Sequence, residues 1–427
     1  MNIQSVDMAN IVWQWPNTGP TPVNYGLDSE IFDSEKFPHI QTFVREAIQN
    51  SLDARLDKTI PAKVRFAFYS EPLSSQVPFF ADLKGKKNEC GLHWPDAWKT
   101  GKISWLVVED SNTSGLEGDL GKRTSDFWNY WLNFGISNKD GRGRGGRGIG
   151  RITFLIASQI SSVIGVTRRR KDGKIATCGM SLMRPTETGN DFKSSYAYMA
   201  QKASGSIYEL YEDASLPSDL ASAFKIAEYK AHRDCYGFSL VIPYPHETLT
   251  PQGIIAAAID HFGPAIINGS LVVQVDETLV DSDTIDAEAA KAKEQFSSQT
   301  LKEDPSRLLA LIKKSAIEHD FVLKIADTSQ LDANIDADLK SEIKSRFQQK
   351  GEVTLALEIP VSRLSKVTFS RILVALSQAP KDMRPVDSFY REGMCLPEVV
   401  ARNPADVDLI VQSTDGDLVS YLNFCEG

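Results

Sequence analysis

The run Glu46-Ala-Ile-Gln-Asn50-Ser-Leu-Asp53-Ala54 sets an acid, an amide and an acid at helical spacing. At 100° per residue these three side chains fall within about 60° of one another. Val44, Ile48 and Leu52 fall on the opposite side, where they can anchor a helix in a core. An amide oxygen is a hard ligand suited to magnesium, which takes few protein ligands and completes its octahedron with phosphate oxygens and waters. A carboxylate one turn away can take a proton from an attacking water. The same stripe also reads as an ordinary exposed polar face, and spacing alone leaves both readings open.

Two further stretches carry chemistry. In Val107-Val-Glu-Asp110-Ser-Asn-Thr-Ser-Gly115, a carboxylate follows a buried strand and precedes a turn. An acceptor at the end of a pocket suits recognition of an amino group on a base, although a polar strand-to-turn transition would look the same. Residues 141–151 read GRGRGGRGIGR, and Gly145, Gly148 and Gly150 make GxxGxG just before a helical run. Backbone N–H groups freed by glycine and a helix N-terminus form an anion cradle, reinforced here by Lys139, Arg144, Arg147 and Arg151. The alternative is an arginine/glycine linker that touches nucleic acid.

The elements that must position these residues are legible in outline. Residues 1–38, with Trp13 and Trp15, read as an irregular aromatic arm laid across another surface. A helix runs through IQTFVREAIQNSLDARLD; strands are predicted at Val64–Tyr69, Ile103–Val108, Ser161–Arg168, Ile175–Met183, Ile207–Tyr211 and Phe238–Pro243. Residues 70–101 read as loop, and 121–136 as an aromatic helix. The character changes near Thr250-Pro251-Gln252-Gly253, which places a domain boundary there. Beyond it come helices at 254–262, 284–297 and 304–318, a strand GSLVVQV, an alternating strand at 352–359 and a hairpin turn at Asp415-Gly416. The chain ends at NFCEG inside a run that reads as structure, which points to truncation at the C-terminus.

Composition bounds the rest. With 427 residues, 42% hydrophobic and 24% charged, the chain is globular and long enough for two or three domains. No apolar run approaches the ~18 residues of a membrane span, and the N-terminus carries Asp7 where a signal peptide is basic. Five cysteines, none in CxxC spacing, argue against disulfides and zinc and for a cytoplasmic protein. The net charge of −9 excludes a wholly basic nucleic-acid binder but not a local basic surface such as 141–151. Asp110 to Gly121 fails as a calcium loop, because glycine stands where a bidentate glutamate is required. Gly141, Gly143 and Gly146 fail as a dinucleotide fingerprint for want of a preceding strand, and there is no GxxxxGK[ST]. His232-Arg233-Asp234 lacks the asparagine of a kinase loop, and the six histidines show no metal spacing.

Taken in order, ExxxNSxDA, an aspartate and turn after a strand, and GxxGxG before a helix resemble the GHKL ATPases: gyrase B, the heat-shock chaperone, histidine kinases and MutL. The resemblance covers roughly residues 30 to 245. It implies an α+β Bergerat fold, a mixed sheet with helices on one face, over 39–250, with a lid at about 117–150. A second α+β, transducer-like domain then occupies 251–427. It implies ATP and Mg2+ as ligands, with Glu46 as the general base, Asn50 holding magnesium and Asp53 supporting the pocket. Asp110 would accept from the adenine amino group beside Gly115. Lys139, Gly145, Arg147, Gly148, Ile149 and Gly150 would wrap the phosphates. Ser239 would stand where the family often has a threonine. Asn112 departs from the glycine that the family usually carries, and the lid's FGISNKD lead-in is most like MutL.

Within that family too few residues precede Glu46 for a sensor kinase. The resemblance therefore implies an ATPase switch in which nucleotide closes the lid and favours a homodimer. A basic residue of the second half would reach the γ-phosphate, with Lys366, Lys381 and Arg391 as the choices. The output would be DNA processing or antiviral defence beside a nuclease or DNA partner, and no membrane. Two rivals remain open: a non-hydrolysing nucleic-acid-binding scaffold with a degenerate site, and a chaperone-like client binder.

Overall fold

The computed structural model describes residues 11–19, 40–118, 122, 124–131, 150–201, 215–226, 236–296, 305–317, 319–325, 335–363, 366–381, 383–396, 399, 406–413 and 418. Two compact units make up the chain. The first takes Met1–Asn138, Arg147–Thr250 and Gln274–Thr278; the second takes Pro251–Val273 and the described residues from Leu279 onward. Among the described residues no helix is long and apolar enough to cross a membrane.

In the first unit the elements are β1 (Ile11–Gln14), β2 (Asn17–Gly19), α1 (Ile40–Asp53), β3 (Ala62–Pro72), α2 (Val77–Glu89), β4 (Lys102–Ser111), α3 (Asp126–Trp131) and α4 (Gly150–Ile156). They continue with β5 (Ser162–Arg168), β6 (Ile175–Leu182), β7 (Glu187–Thr188), β8 (Asp191–Lys193), β9 (Tyr196–Gln201), α5 (Ser215–Phe224) and β10 (Gly237–Pro243). The main sheet runs β1-β9-β6-β5-β10-β4-β3, and each of these neighbouring pairs is antiparallel. Beyond β3 lies the segment Gln274–Thr278, where the Asp276 amide donates to Phe66 O at 2.8 Å and Asp276 Oδ1 accepts from the Phe68 amide.

Side chains alternate across this sheet with period two, and the two faces differ. Ile103, Trp105 and Val107 of β4 enter an aromatic core with Phe79, Phe80 and Leu83 of α2 and Leu220 and Phe224 of α5. Leu106, Val108 and Asp110 point the other way. That face carries α1 and α4, joined where Phe43 meets Phe66 at 6.1 Å and Phe154 at 5.7 Å between ring centroids. The helices of the site face are therefore backed by a second, independently packed layer.

Two stretches differ from the expectations above. The arm is not irregular at Ile11–Gln14: it pairs antiparallel with β9, Trp13 opposite Met199. Trp13 is buried, its indole N–H donating to Phe79 O at 2.7 Å and its amide to Asp82 Oδ2 at 2.6 Å, and the Trp15 indole donates to Ser194 O. The surface it crosses is thus its own sheet edge and α2. The supposed loop at 70–101 contains α2, which starts with Pro78 in its first turn and buries Phe79, Phe80, Leu83 and Lys87. A lysine in the inward row hides the apolar period.

The second unit is also α+β. Helices Pro251–Ile267, Ile285–Ala292, Ser306–Ile317 and Ala337–Lys350 accompany a six-stranded sheet. Its pairing is mixed: Glu352–Arg363 and Lys366–Gln378 are antiparallel, whereas Phe321–Lys324 joins the first of them in parallel. The helix Ala337–Lys350 is capped by Asp336, whose carboxylate accepts from the Leu339 amide at 2.8 Å, and stops at Gly351 with φ of 72°. The turn at Asp415-Gly416 and the strand at 207–211 lie outside the described residues.

Candidate nucleotide site

Helix α1 is as the spacing requires. Phe43, Val44, Ala47, Ile48 and Leu52 are buried, and Glu46, Asn50 and Asp53 are half-buried along another side. Ser51, one residue beyond Asn50, turns inward. Its hydroxyl lies 3.0 Å from Ala47 O and 3.1 Å from Asp110 Oδ2. The polar helix and the aspartate near the end of β4 are thereby brought together, 59 residues apart in sequence.

Asp110 sits at the end of a buried strand, and the chain supplies it with donors. Oδ1 accepts from the Thr113 hydroxyl at 2.6 Å and from the Phe238 amide at 2.8 Å; Oδ2 shares the Ser51 hydroxyl proton with Ala47 O. Burial pushes the carboxyl above the ordinary aspartate range, and these three hydrogen bonds pull against it. A carboxylate offers about four acceptor positions, so one more donor can be taken.

Two glycines make room for this arrangement. A Cβ on Gly237 would lie 2.4 Å from Asp110 O and 2.7 Å from its Oδ1. Gly115 has φ of +67°, and a Cβ there would lie 2.6 Å from Arg168 O and 2.7 Å from Thr167 Oγ1. Gly115 therefore lies against β5 and β10 at the same end of the sheet as Asp110. Asn112, the departure from the family's glycine, occupies φ of 60°, a region asparagine tolerates better than most residues. Its side chain turns to the loop after α1 and not to Asp110: Nδ2 donates to Asp57 O, Ile60 O and Pro61 O.

Ser239 is not where the resemblance implied. It pairs with Glu109, not Asp110, and its hydroxyl donates to Glu109 Oε1 at 3.2 Å. Glu109 is buried on the reverse face with Arg65 at 2.5 Å, so one step along β10 has turned Ser239 away from the site. Thr167 is the threonine on the site face. It lies opposite Phe238, accepts from the Leu116 amide at 2.8 Å and donates to Gly237 O at 3.1 Å. Sequence reasoning missed Thr167, Thr113 and Ser51. Only the serine of NSxDA and the threonine within the aspartate turn left any local trace.

Of the expected anion cradle, the described residues include only Gly150, which opens α4, and the backbone of Arg151. Lys139, Gly145, Arg147, Gly148 and Ile149 lie outside the described residues, as does most of the expected lid. Of the second unit's cations, Arg391 is buried, Lys381 is exposed, and the side chain of Lys366 is outside the description. Among the described residues no group of three or more His, Cys, Asp or Glu side chains could hold a metal ion. A divalent cation here would depend on an amide such as that of Asn50 together with oxygens of the ligand, which fits magnesium better than calcium or zinc.

No family model matches the chain, and no curated protein matches it in sequence. Among solved structures it is similar to the ATPase region of Saccharomyces cerevisiae topoisomerase II. That match has a TM-score of 0.36 and 8% identity, and covers 88% of this chain and 73% of that one. It is also similar to the ATPase and transducer domains of DNA topoisomerase II from Balamuthia mandrillaris, with a TM-score of 0.36, 7% identity and the same coverages of 88% and 73%. The resemblance to the GHKL ATPases rests on the order of the three motifs and on the geometry that joins the first two.

Proposed function

We propose that the first unit binds Mg-ATP and hydrolyses it, acting as a conformational switch of the GHKL type. The observation that carries this reading is Asp110: a half-buried carboxylate with three donors in place and capacity for one more. It adjoins a helix whose half-buried side presents Glu46 and Asn50. An exocyclic amino group supplies the missing donor. Guanine would set a carbonyl against the same oxygen, so adenine is preferred.

Bound magnesium supplies charge neutralisation at the phosphates. Asn50, through its amide oxygen, would hold it. Glu46 takes the proton of the attacking water, and Asp53 supports the helix end from which both act. Gly145, Arg147, Gly148, Ile149 and Gly150, with Lys139, would surround the phosphates, and their closure would couple the site to a lid. On the motif resemblance alone, the proposal extends to an ATP-dependent homodimer and to a DNA-processing or antiviral-defence partner in the cytoplasm. Such a dimer would form without Trp13 and Trp15, which are used inside their own unit.

The test is Glu46→Ala. It removes the base and leaves the base-reading carboxylate, so ATP binding measured by calorimetry stays near wild type while phosphate release falls roughly 10²–10⁴-fold. Hydrolysis at the wild-type rate would remove Glu46 from the mechanism. A wild-type protein that binds ATP and releases no phosphate would instead favour the scaffold reading.

A further inference from the structure

The loop between α1 and β3 is exposed, yet four of its backbone carbonyls are gathered by two side chains. Arg55 donates to Asp57 O, Lys58 O and Ile60 O. Asn112 reaches in from the far side and donates to Asp57 O at 2.9 Å, Ile60 O at 3.0 Å and Pro61 O at 3.2 Å. Its Oδ1 accepts from the Asp57 amide at 3.1 Å, and its own carbonyl accepts from the Leu56 amide at 2.9 Å. Next to it the Ser114 amide donates to Ala54 O at 2.9 Å, and Arg55 forms a bridge with Thr113.

Glycine would satisfy the left-handed backbone at position 112 without strain. Asparagine satisfies it too and adds two N–H donors and an acceptor, all used on the loop that leaves α1. The turn that carries Thr113, a donor to Asp110, is therefore tied to the C-terminal end of the helix that carries Ser51, another donor to the same carboxylate.

We propose that Asn112 is the positioning residue for base discrimination, clamping the Asp110 turn to the end of α1 so that the donors Thr113 and Ser51 hold one acceptor position of the carboxylate toward the base. The proposal rests on the nucleotide reading above. It assigns Asn112 no contact with nucleotide; its effect passes through Asp110.

Two variants of the full chain test it. Asn112→Gly keeps the backbone conformation and its backbone hydrogen bonds and deletes the side-chain contacts of the clamp. Asn112→Asp keeps the acceptor for the Asp57 amide and sets a negative charge against three carbonyls. With affinities measured by calorimetry, both variants are expected to bind ATP roughly tenfold more weakly, the effect of losing about one positioned hydrogen bond, while GTP changes less than about twofold. Hydrogen exchange at the Asp57 amide should quicken in Asn112→Gly. An unchanged ATP-to-GTP ratio in both variants would overturn the proposal, and so would an equal loss for both nucleotides, which marks general loosening. Wild-type protein that shows no preference for ATP would overturn the nucleotide reading itself, and the positioning role with it.

Discussion

Replacing Gly237 by alanine adds one methyl group at the point where β10 passes Asp110. Gly237 is not among the residues with left-handed φ, so the substitution introduces no backbone strain and its effect is steric. The new Cβ would lie 2.4 Å from Asp110 O, 2.7 Å from Oδ1 and 3.3 Å from the carbonyl carbon. The first and last of these are backbone atoms held in a central strand pair, so β4 and β10 must separate or Asp110 must rotate. Overpacking of this kind costs about 1–3 kcal/mol. Weakening the adjacent Phe238 amide bond to a charged acceptor adds roughly 1.5–3 kcal/mol. At about 2–4 °C per kcal/mol for a unit of this size, the melting midpoint should fall by roughly 10 °C. All seven tryptophans lie in the first unit, so intrinsic fluorescence reports its transition alone. Below that transition ATP affinity should fall at least tenfold, because the acceptor has moved. Gly85→Ala serves as the contrast: its Cβ meets nothing within 4 Å inside α2, and it should stabilise by about 0.5–1 kcal/mol. A Gly237→Ala protein that melts within about 2 °C of wild type and binds ATP equally would refute the steric reasoning.

Burial depresses the Lys87 amine from 10.5 to about 7; above that pH the native state is neutral while the unfolded chain still binds a proton. Stability should therefore rise by up to about 1.4 kcal/mol per pH unit between roughly pH 7 and 10, and Lys87→Met should abolish that slope in chemical denaturation; a slope shared by both proteins rules the assignment out. Because burial raises the Asp110 carboxyl, acid should protonate it early and convert an acceptor into a donor. The preference for ATP over GTP should shrink as pH falls and stay flat in Asp110→Asn, and a wild-type ratio insensitive to acid would count against base reading. Trp13→Ala should destabilise the first unit by about 3–5 kcal/mol, independently of protein concentration; a loss confined to assembly would restore the arm to a subunit interface.

The parts legible from sequence are those governed by a local period. Glu46, Asn50 and Asp53 recur at helical spacing, so their shared side follows from residues within two turns of one another. The β4 strand is apolar from Trp105 to Val108, and its end at Glu109-Asp110 is marked by the change to charge. What decides the site is not local. Ser51 and Phe238 meet Asp110 across 59 and 128 residues. Ser239 illustrates the limit: a one-residue difference in register moves a side chain to the other face of a sheet. Only the pairing with Glu109 reveals which face it takes. Helix α2 and β1 escaped for a related reason. Lys87 stands in the buried row of α2, and β1 has only four residues, whose partner lies near residue 200.

Adjacent acids at the end of β4 show how the fold separates two electrostatic problems. Glu109 faces the aromatic layer and is balanced by a cation, Arg65, with the Ser239 hydroxyl also donating to it. A guanidinium could also balance Asp110, but its fixed positive charge would offset the carboxylate's own and leave less to be gained from a further donor. Neutral donors solve the second problem differently. Two hydroxyls and one backbone amide take three acceptor positions in fixed directions, and the fourth stays open. The carboxylate is then less stabilised than a salt-bridged one, which agrees with the direction in which burial moves it. A charge left partly unsatisfied inside a strand end gains most from an additional donor, and gains nothing from a carbonyl in the same place. On the proposed nucleotide reading, selectivity for an amino-bearing base would follow from how incompletely Asp110 is satisfied, and any substitution that satisfies it better should weaken recognition even as it stabilises the fold.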